Sequence, residues 1–458
     1  MSASKMITSL NPATNKPINE YVMHTKQEVL EILDDMHDTF KTYRRTSYAE
    51  RAKMMHKAAD LLEDKEDEYA ETMTLEMGKT LHSSKAEVKK CAWVCRYYAD
   101  NAEDFLADEI VTTDATKSFI TYQPLGIVLA VMPWNYPFWQ VFRFAAPALM
   151  AGNVAILKHA SNVPQSALNI EEVFREAGFP TNAFRTLIVK SEMVEMILDH
   201  QHVKAATLTG STPAGSAVAS KAGSNIKKTV LELGGSDPYL ILHDADLDLA
   251  AEQSTESRLL NVGQSCIGAK RFIAVDKVHD AFLVKFKTKM EAAIVGDPMT
   301  AVTIGPMARH DLRDEVHQQT MQSISAGARL LLGGKIPEHD GAYYPPTILT
   351  DVVPGMPAYD DEIFGPVASV IRVTDEKDAI RIANDTKFGL GACVFTEDVE
   401  RGEDIAKHKL EAGCCFVNQY VKSDPRLPFG GIKTSGYGRE LSYYGIREFT
   451  NVKTVYVK

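Results

Sequence analysis

Cysteine is scarce in this chain: six among 458 residues, namely Cys91, Cys95, Cys266, Cys393, Cys414 and Cys415. That is too few for a disulfide scaffold, and no second pair joins Cys91 and Cys95 at zinc-finger spacing. The content predicts a reducing, cytoplasmic setting and no metal centre. A surplus of positive charge is also lacking. The 50 basic residues face 61 acidic ones, for a formal charge of −11. Nucleic acid and anionic membrane both reward a basic surface, so neither is expected as a partner. The N-terminal stretch MSASKMITSLNPATNKP lacks the apolar run of a secretory signal. Repeats and low-complexity tracts are absent. One uncharged segment, 118–142, is long enough to span a bilayer. Pro124, Pro133 and Pro137 interrupt it, so it reads as a buried strand, a loop and the start of a buried helix.

What remains is an ordinary globular composition, 45% hydrophobic and 24% charged. The length allows about three structural units or two large ones. The first hundred residues read as helices. Val29, Leu30, Leu33, Met36 and Phe40 recur at helical spacing, Leu61 to Met77 continue the pattern, and Gly78 is a stop signal. A further helix is expected from about Ser84 to Phe105. Then short β-rich runs alternate with helix-compatible stretches: 128–132, 154–157, 185–189, 205–209 and 229–233. The alternation returns after Cys266 with 272–275, 367–373, 393–396 and 415–418. This is the pattern of βαβ units, and it predicts two α/β units with parallel sheets.

Ligands of an open parallel sheet bind beyond the carboxyl ends of its strands. Trp134 and Asn135, Lys158 and Ser161, Gly210 and Ser211, and Gly234 and Gly235 all follow such ends. In LTGSTPAG (208–215), a glycine turn lets backbone N–H groups approach a phosphate, and Ser211 can add a hydroxyl. A plain strand–turn–helix connection has the same composition. Lys158 suits a ribose or phosphate, or equally a solvated surface. Cys266, after Gly263 in GQSC, sits on a tight loop where neighbours can activate a thiol; most lone cysteines are inert. Glu232, between two leucines, is a shielded carboxylate fit for a general base or for a buried ion pair. Together these residues form a nucleotide crevice, a thiol, a carboxylate and a side-chain amide.

The ordered set PWNYP (133–137), LKHAS (157–161), TGSTPAG (209–215), LELGG (231–235), GQSC (263–266), EIFGPV (362–367) and PFGGIKTSGYGRE (428–440) resembles the aldehyde dehydrogenase superfamily. So does the spacing of 34 residues from Glu232 to Cys266. The resemblance implies a Rossmann-type cofactor domain, an α/β catalytic domain and a small β oligomerisation arm. It makes Cys266 the nucleophile, Glu232 the general base and Asn135 an oxyanion donor beside the Cys266 backbone N–H. Lys158 and Glu362 would hold ribose hydroxyls, Ser211 would contact the pyrophosphate at the Gly210 turn, Phe364 would pack near the nicotinamide, and Trp134 would lie along the groove. Thiol attack, hydride loss and thioester hydrolysis would convert an aldehyde to an acid.

Departures from the common pattern refine this expectation. Many NAD-using relatives carry Glu where Ser161 stands; serine leaves room for a 2′-phosphate, so NADP is expected, with NAD possible. Arg143 lies eight residues after Asn135, just over two helical turns. It suits a carboxylate at the far end of the aldehyde, with Ser423 adding a hydroxyl, or else a structural ion pair. The segments around Arg143 and Ser423 look like a bacterial branch of succinate-semialdehyde dehydrogenases. Leu260 replaces an arginine that some relatives carry there, and Gly268 replaces a second cysteine. The expected substrate is succinate semialdehyde. The alternatives are glutarate semialdehyde or broad aliphatic aldehydes, a cofactor-independent thiol esterase, and a non-catalytic binding protein. The expected division is 1–105 and 125–232 for the cofactor domain, 233–441 for the catalytic domain, and 106–124 with 442–458 for the arm of a homodimer or homotetramer.

Overall fold

The computed structural model describes residues 5–458; residues 1–4, the start of the first expected domain, lie outside it. The chain begins not with a helix but with an antiparallel hairpin, Met6–Asn11 against Lys16–Val22. The second strand buries little beyond Tyr21, so its sequence carries almost no alternation to read. Four helices follow: Lys26–Tyr43, Tyr48–Asp64, Glu66–Met77 and Leu81–Phe105. Thr25 and Ser47 open the first two with reciprocal capping boxes to Glu28 and Glu50. The periodic stretch through Met77 is two helices, broken at Lys65. Gly78 ends the second at φ 90°, a left-handed conformation that favours glycine.

The β-rich runs divide between two sheets. The first has the order Gly436–Tyr437, Lys228–Glu232, Val203–Thr209, Ile127–Met132, Val154–His159 and Phe184–Thr186, parallel except for the first strand. Ile127, Val128, Leu129 and Ala130 are fully buried, as expected of a parallel strand covered on both faces. Strand order reverses between Ile127–Met132 and Val203–Thr209, which places Trp134 and Gly210 beside the switch point. The second sheet has the order Arg329–Leu332, Thr347–Thr350, Val367–Val373, Arg271–Val275, Pro238–Ile241, Gly391–Phe395 and Cys414–Val417. It is parallel except for its first strand.

Two readings of the sequence are corrected here. The alternation of the second α/β unit starts before Cys266, with a strand that went unread in the sequence: Pro238–Ile241, in the middle of the second sheet and joined to Lys228–Glu232 by the short link 233–237. The segment 118–142 holds two strands, not one. Lys117–Pro124 belongs to a three-stranded antiparallel sheet with Glu109–Ile110 and Thr450–Val457, while Ile127–Met132 is central to the first sheet. The helix Trp139–Met150 that follows is buried along its whole length. Among the described residues no helix is long and apolar enough to cross a membrane.

Candidate active site

Cys266 sits on a turn between the helix Leu247–Leu259 and the strand Arg271–Val275. The turn is strained. Asn261, Val262 and Gly263 have φ of 55°, 60° and 72°, and a β-branched residue in this region costs on the order of 1–3 kcal/mol. Buried polar groups hold it in place. Arg258, wholly buried, donates to Ala269 O at 2.7 Å and to Gly263 O at 2.5 Å. Asn261 Nδ2 donates to Asn135 O at 2.7 Å, and Gln264 Oε1 accepts the Ala308 N–H at 2.9 Å. A Cβ on Gly263 would stand 2.2 Å from Gly365 O. The GQSC turn is therefore locked against the EIFGPV segment, and glycine is required there by both space and φ.

The half-buried Cys266 opens into a cavity of about 650 Å³. Tyr136, Trp139, Gln140, Ile267 and Phe429 supply much of its wall, and Lys90, Arg143 and Ser423 supply polar groups. Burial pushes the Cys266 thiol up to about 12, with Arg143 and Lys270 pulling the other way. Lys270 Nζ lies directly behind the Cys266 turn. It donates to Cys266 O at 2.7 Å and Ser265 O at 2.8 Å, and pairs with Glu362 at 3.2 Å. Asn135 Nδ2 donates one hydrogen to Gln264 O at 3.1 Å, which holds the amide beside the Cys266 turn and leaves its second hydrogen for a ligand.

Glu232 ends its strand 2% exposed, and neither carboxylate oxygen has a hydrogen-bond partner. Its pKa is raised well above the carboxylate range, first by burial and then by the Glu440 carboxylate. Gly430 makes room for it: a Cβ there would be 2.7 Å from Glu232 Oε1. Arg143 reaches the wall of the Cys266 cavity, but on a helix with no solvated face its charge needs a partner. It pairs through Nε with Glu440, its Nη2 donates to Thr209 Oγ1 at 3.3 Å, and its guanidinium stacks 4.8 Å over Phe429. Much of its charge is thus answered within the protein, as in the structural ion pair that the sequence left open.

Of the expected cofactor residues, Trp134, Lys158, Ser161, Gly210 and Ser211 lie at or just past strand ends of the first sheet, whereas Glu362 and Phe364 precede the strand Val367–Val373. Lys158 and Ser161 line a cavity of about 720 Å³ with Lys190, Glu192 and Arg309. Burial lowers the pKa of the Lys158 ammonium, and Glu192 opposes that effect. Ser211 stands at the N-cap of the helix Thr212–Ser224 with no side-chain capping bond, so its hydroxyl is free for an anion above the helix terminus. Trp134 and Phe364 meet edge to face with centroids 5.8 Å apart. Glu362 accepts the Gly235 N–H at 3.0 Å, and a Cβ on Gly234 would collide with its carboxylate. A free cation, a free hydroxyl at a helix terminus and a two-ring step suit a nicotinamide dinucleotide.

The family model described as Aldehyde dehydrogenase family matches residues 1–455. The chain belongs to the aldehyde dehydrogenase family. A Synechocystis sp. relative named probable succinate-semialdehyde dehydrogenase, NADP(+), is 52% identical over 452 residues, covering 98% of this chain and 99% of the relative. The Mycobacterium ulcerans succinate-semialdehyde dehydrogenase, NADP(+), 1 is 52% identical over 456 residues, covering 98% and 99%. The solved succinic semialdehyde dehydrogenase from Streptococcus pyogenes, in complex with NADP+, superposes with a TM-score of 0.96 at 38% identity, covering 98% of this chain and 99% of that one.

Three residues of this aldehyde dehydrogenase went unread in the sequence. Lys270, in the AKR that follows GQSCIG, looks like any strand-edge lysine. Glu440 closes the GRE of the last motif, but nothing local names its partner. Arg258 lies on the helix Leu247–Leu259, whose buried face includes Gln253, Ser254 and Ser257, so no apolar rhythm marks it as inward-facing. For each, the signal lies in a pairing with a residue remote in sequence or in the turn that it braces.

Proposed function

We propose that this aldehyde dehydrogenase oxidises succinate semialdehyde to succinate with NADP, NAD being the weaker cofactor. The observation that carries the reading is the Cys266 cavity, a nucleophile on a braced turn facing a wall with basic groups. Relatives at 52% identity with this printed activity support it.

The Cys266 thiol gives up its proton to water as its sulfur forms a C–S bond with the aldehyde carbon, and the carbonyl oxygen becomes an oxyanion. The free Asn135 N–H and the Cys266 backbone N–H stabilise that charge. Removing one such donor typically costs about a hundredfold in rate or more. A nicotinamide dinucleotide held by the residues named below would supply the acceptor for the hydride of the aldehyde carbon. Cys266 then holds a thioester. Glu232 takes a proton from water, the hydroxide adds to the acyl carbon, and the C–S bond breaks to release the acid. The raised proton affinity of Glu232 makes it a stronger base once it is ionised. Lys158, Ser161, Gly210, Ser211, Glu362, Phe364 and Trp134 hold the dinucleotide, with Ser161 leaving space for a 2′-phosphate. Arg143 and Ser423 stand at the carboxylate end of the substrate cavity.

In this reading 1–105 and 125–232 form the cofactor domain, 233–441 the catalytic domain, and 106–124 with 442–458 an arm. Thr450–Val457 is a largely exposed edge strand that a second subunit would cover in a cytoplasmic homodimer or homotetramer. The test is absorbance at 340 nm with succinate semialdehyde, glutarate semialdehyde and butanal, each with NADP and NAD. Highest kcat/KM for succinate semialdehyde with NADP is expected. A preference for butanal would refute the substrate, and equal use of NAD would refute the cofactor assignment.

A further inference from the structure

The substrate cavity holds a second cation that no carboxylate among the described residues pairs with. Lys90 lies on the helix Leu81–Phe105, one turn after Glu87, on the flank that faces the buried helix Trp139–Met150. It is half-buried in the wall of the cavity that contains Cys266. Its Nζ donates to Ser423 Oγ at 2.8 Å and stands 4.3 Å from the Trp139 ring centroid. An ammonium has three N–H groups, so these contacts leave capacity for an anion. Among the described residues no carboxylate forms an ion pair with Lys90.

The nearby acids are committed elsewhere. Glu87 pairs with the wholly buried Lys79 and accepts the Phe138 and Trp139 N–H groups at 2.8 and 2.9 Å. Asp424 pairs with Arg426 at 2.7 Å. Burial and the neighbouring Arg143 lower the Lys90 ammonium to about 8, so the protein itself disfavours the charge it places there. A charge held unpaired at this cost is one that a ligand completes. Arg143 is the poorer candidate because Glu440 already neutralises it.

We infer that Lys90, together with the Ser423 hydroxyl, grips the substrate's distal carboxylate and sets the preference for carboxylated over plain aldehydes. The inference rests on the proposed succinate semialdehyde activity. The charge-assisted bonds act on the end of the substrate remote from the reacting carbon, so they sort aldehydes by what they carry. The Trp139 face beneath the ammonium keeps the stem extended toward the cavity, and Ser423 supplies a second donor once its own oxygen has accepted from Lys90.

The test is the ratio of kcat/KM for succinate semialdehyde to that for butanal, measured in wild type, Lys90→Met, Lys90→Arg, Arg143→Lys and, as a charge control, Lys285→Met on a surface helix. The inhibition constant for succinate is measured in parallel. Lys90→Met is expected to lower the ratio at least tenfold and to weaken succinate inhibition by a similar factor. Lys90→Arg should keep most of the ratio, and Lys285→Met should leave it unchanged. A wild-type preference that survives Lys90→Met would overturn the Lys90 assignment alone, and its loss in Arg143→Lys instead would return the anchor to Arg143. A wild type indifferent to the carboxylate would overturn the proposed substrate, and Lys90's role with it.

Discussion

Replacing Arg143 with methionine removes the counter-charge of two buried carboxylates. Arg143 and Glu440 are 2% and 5% exposed, and Glu232 is 2% exposed. Breaking a buried pair by deleting one partner costs about 3–5 kcal/mol, because the other charge is stranded. The unfolding entropy of a chain this long is near 1 kcal/mol/K, so the thermal midpoint should fall by about 3–5 °C. The loss depends on pH in a defined direction. Burial raises the pKa of Glu440 above its ordinary value of 4.5, and Arg143 opposes the rise. A carboxyl raised in the folded state binds its proton more tightly there than when unfolded. Its destabilising effect is therefore absent below the unfolded pKa and grows as pH rises through the folded one. Removing Arg143 raises Glu440 further, so the deficit of Arg143→Met should be smallest at acid pH and grow as pH rises above the ordinary carboxylate range. Glu440→Gln in the Arg143→Met background removes the stranded charge and should recover most of the loss. Scanning fluorimetry of the wild type, both single variants and the double variant with rising pH checks the argument. Equal midpoints for wild type and Arg143→Met, or single losses that simply add in the double variant, would refute the pairing.

Two other outcomes follow from the same site. With the Cys266 thiol pushed up to about 12, its alkylation by iodoacetamide in cofactor-free protein should climb roughly tenfold per pH unit between about pH 6 and 9; a plateau below neutrality would reveal a resident thiolate. Ser161→Glu places a carboxylate where the 2′-phosphate is proposed to bind. Two charges about 5 Å apart at an effective dielectric of about 20 repel by roughly 3 kcal/mol, so the NADP-to-NAD ratio of kcat/KM should drop about a hundredfold or more. An unchanged ratio would move the phosphate seat away from Ser161.

Much of the fold was legible in the sequence because its signals are local. The strands Ile127–Met132 and Val154–His159 are nearly unbroken apolar runs, which only a sheet covered on both faces uses. The glycine before Cys266 announces a tight turn, and the structure adds the reason, a Cβ clash with Gly365 O. The hairpin Met6–Val22 was not legible, since a mostly exposed strand has little pattern to distinguish it from a loop. The strand Pro238–Ile241 is short and wholly buried, and periodicity cannot identify so brief a run.

The sequence by itself determined the family, the parallel α/β character and the candidate nucleophile, base and amide, because each is written in a contiguous motif or a short-range rhythm. Only the tertiary structure decided which charges remain available. Arg143 reads equally as a substrate anchor or as half of an ion pair until Glu440 is folded against it. Lys90 carried no signal in the sequence; Ser423, 333 residues away, closes on it at the wall of the Cys266 cavity. Burial and long-range pairing set the availability of a charge, and neither is a property of neighbouring residues in the chain.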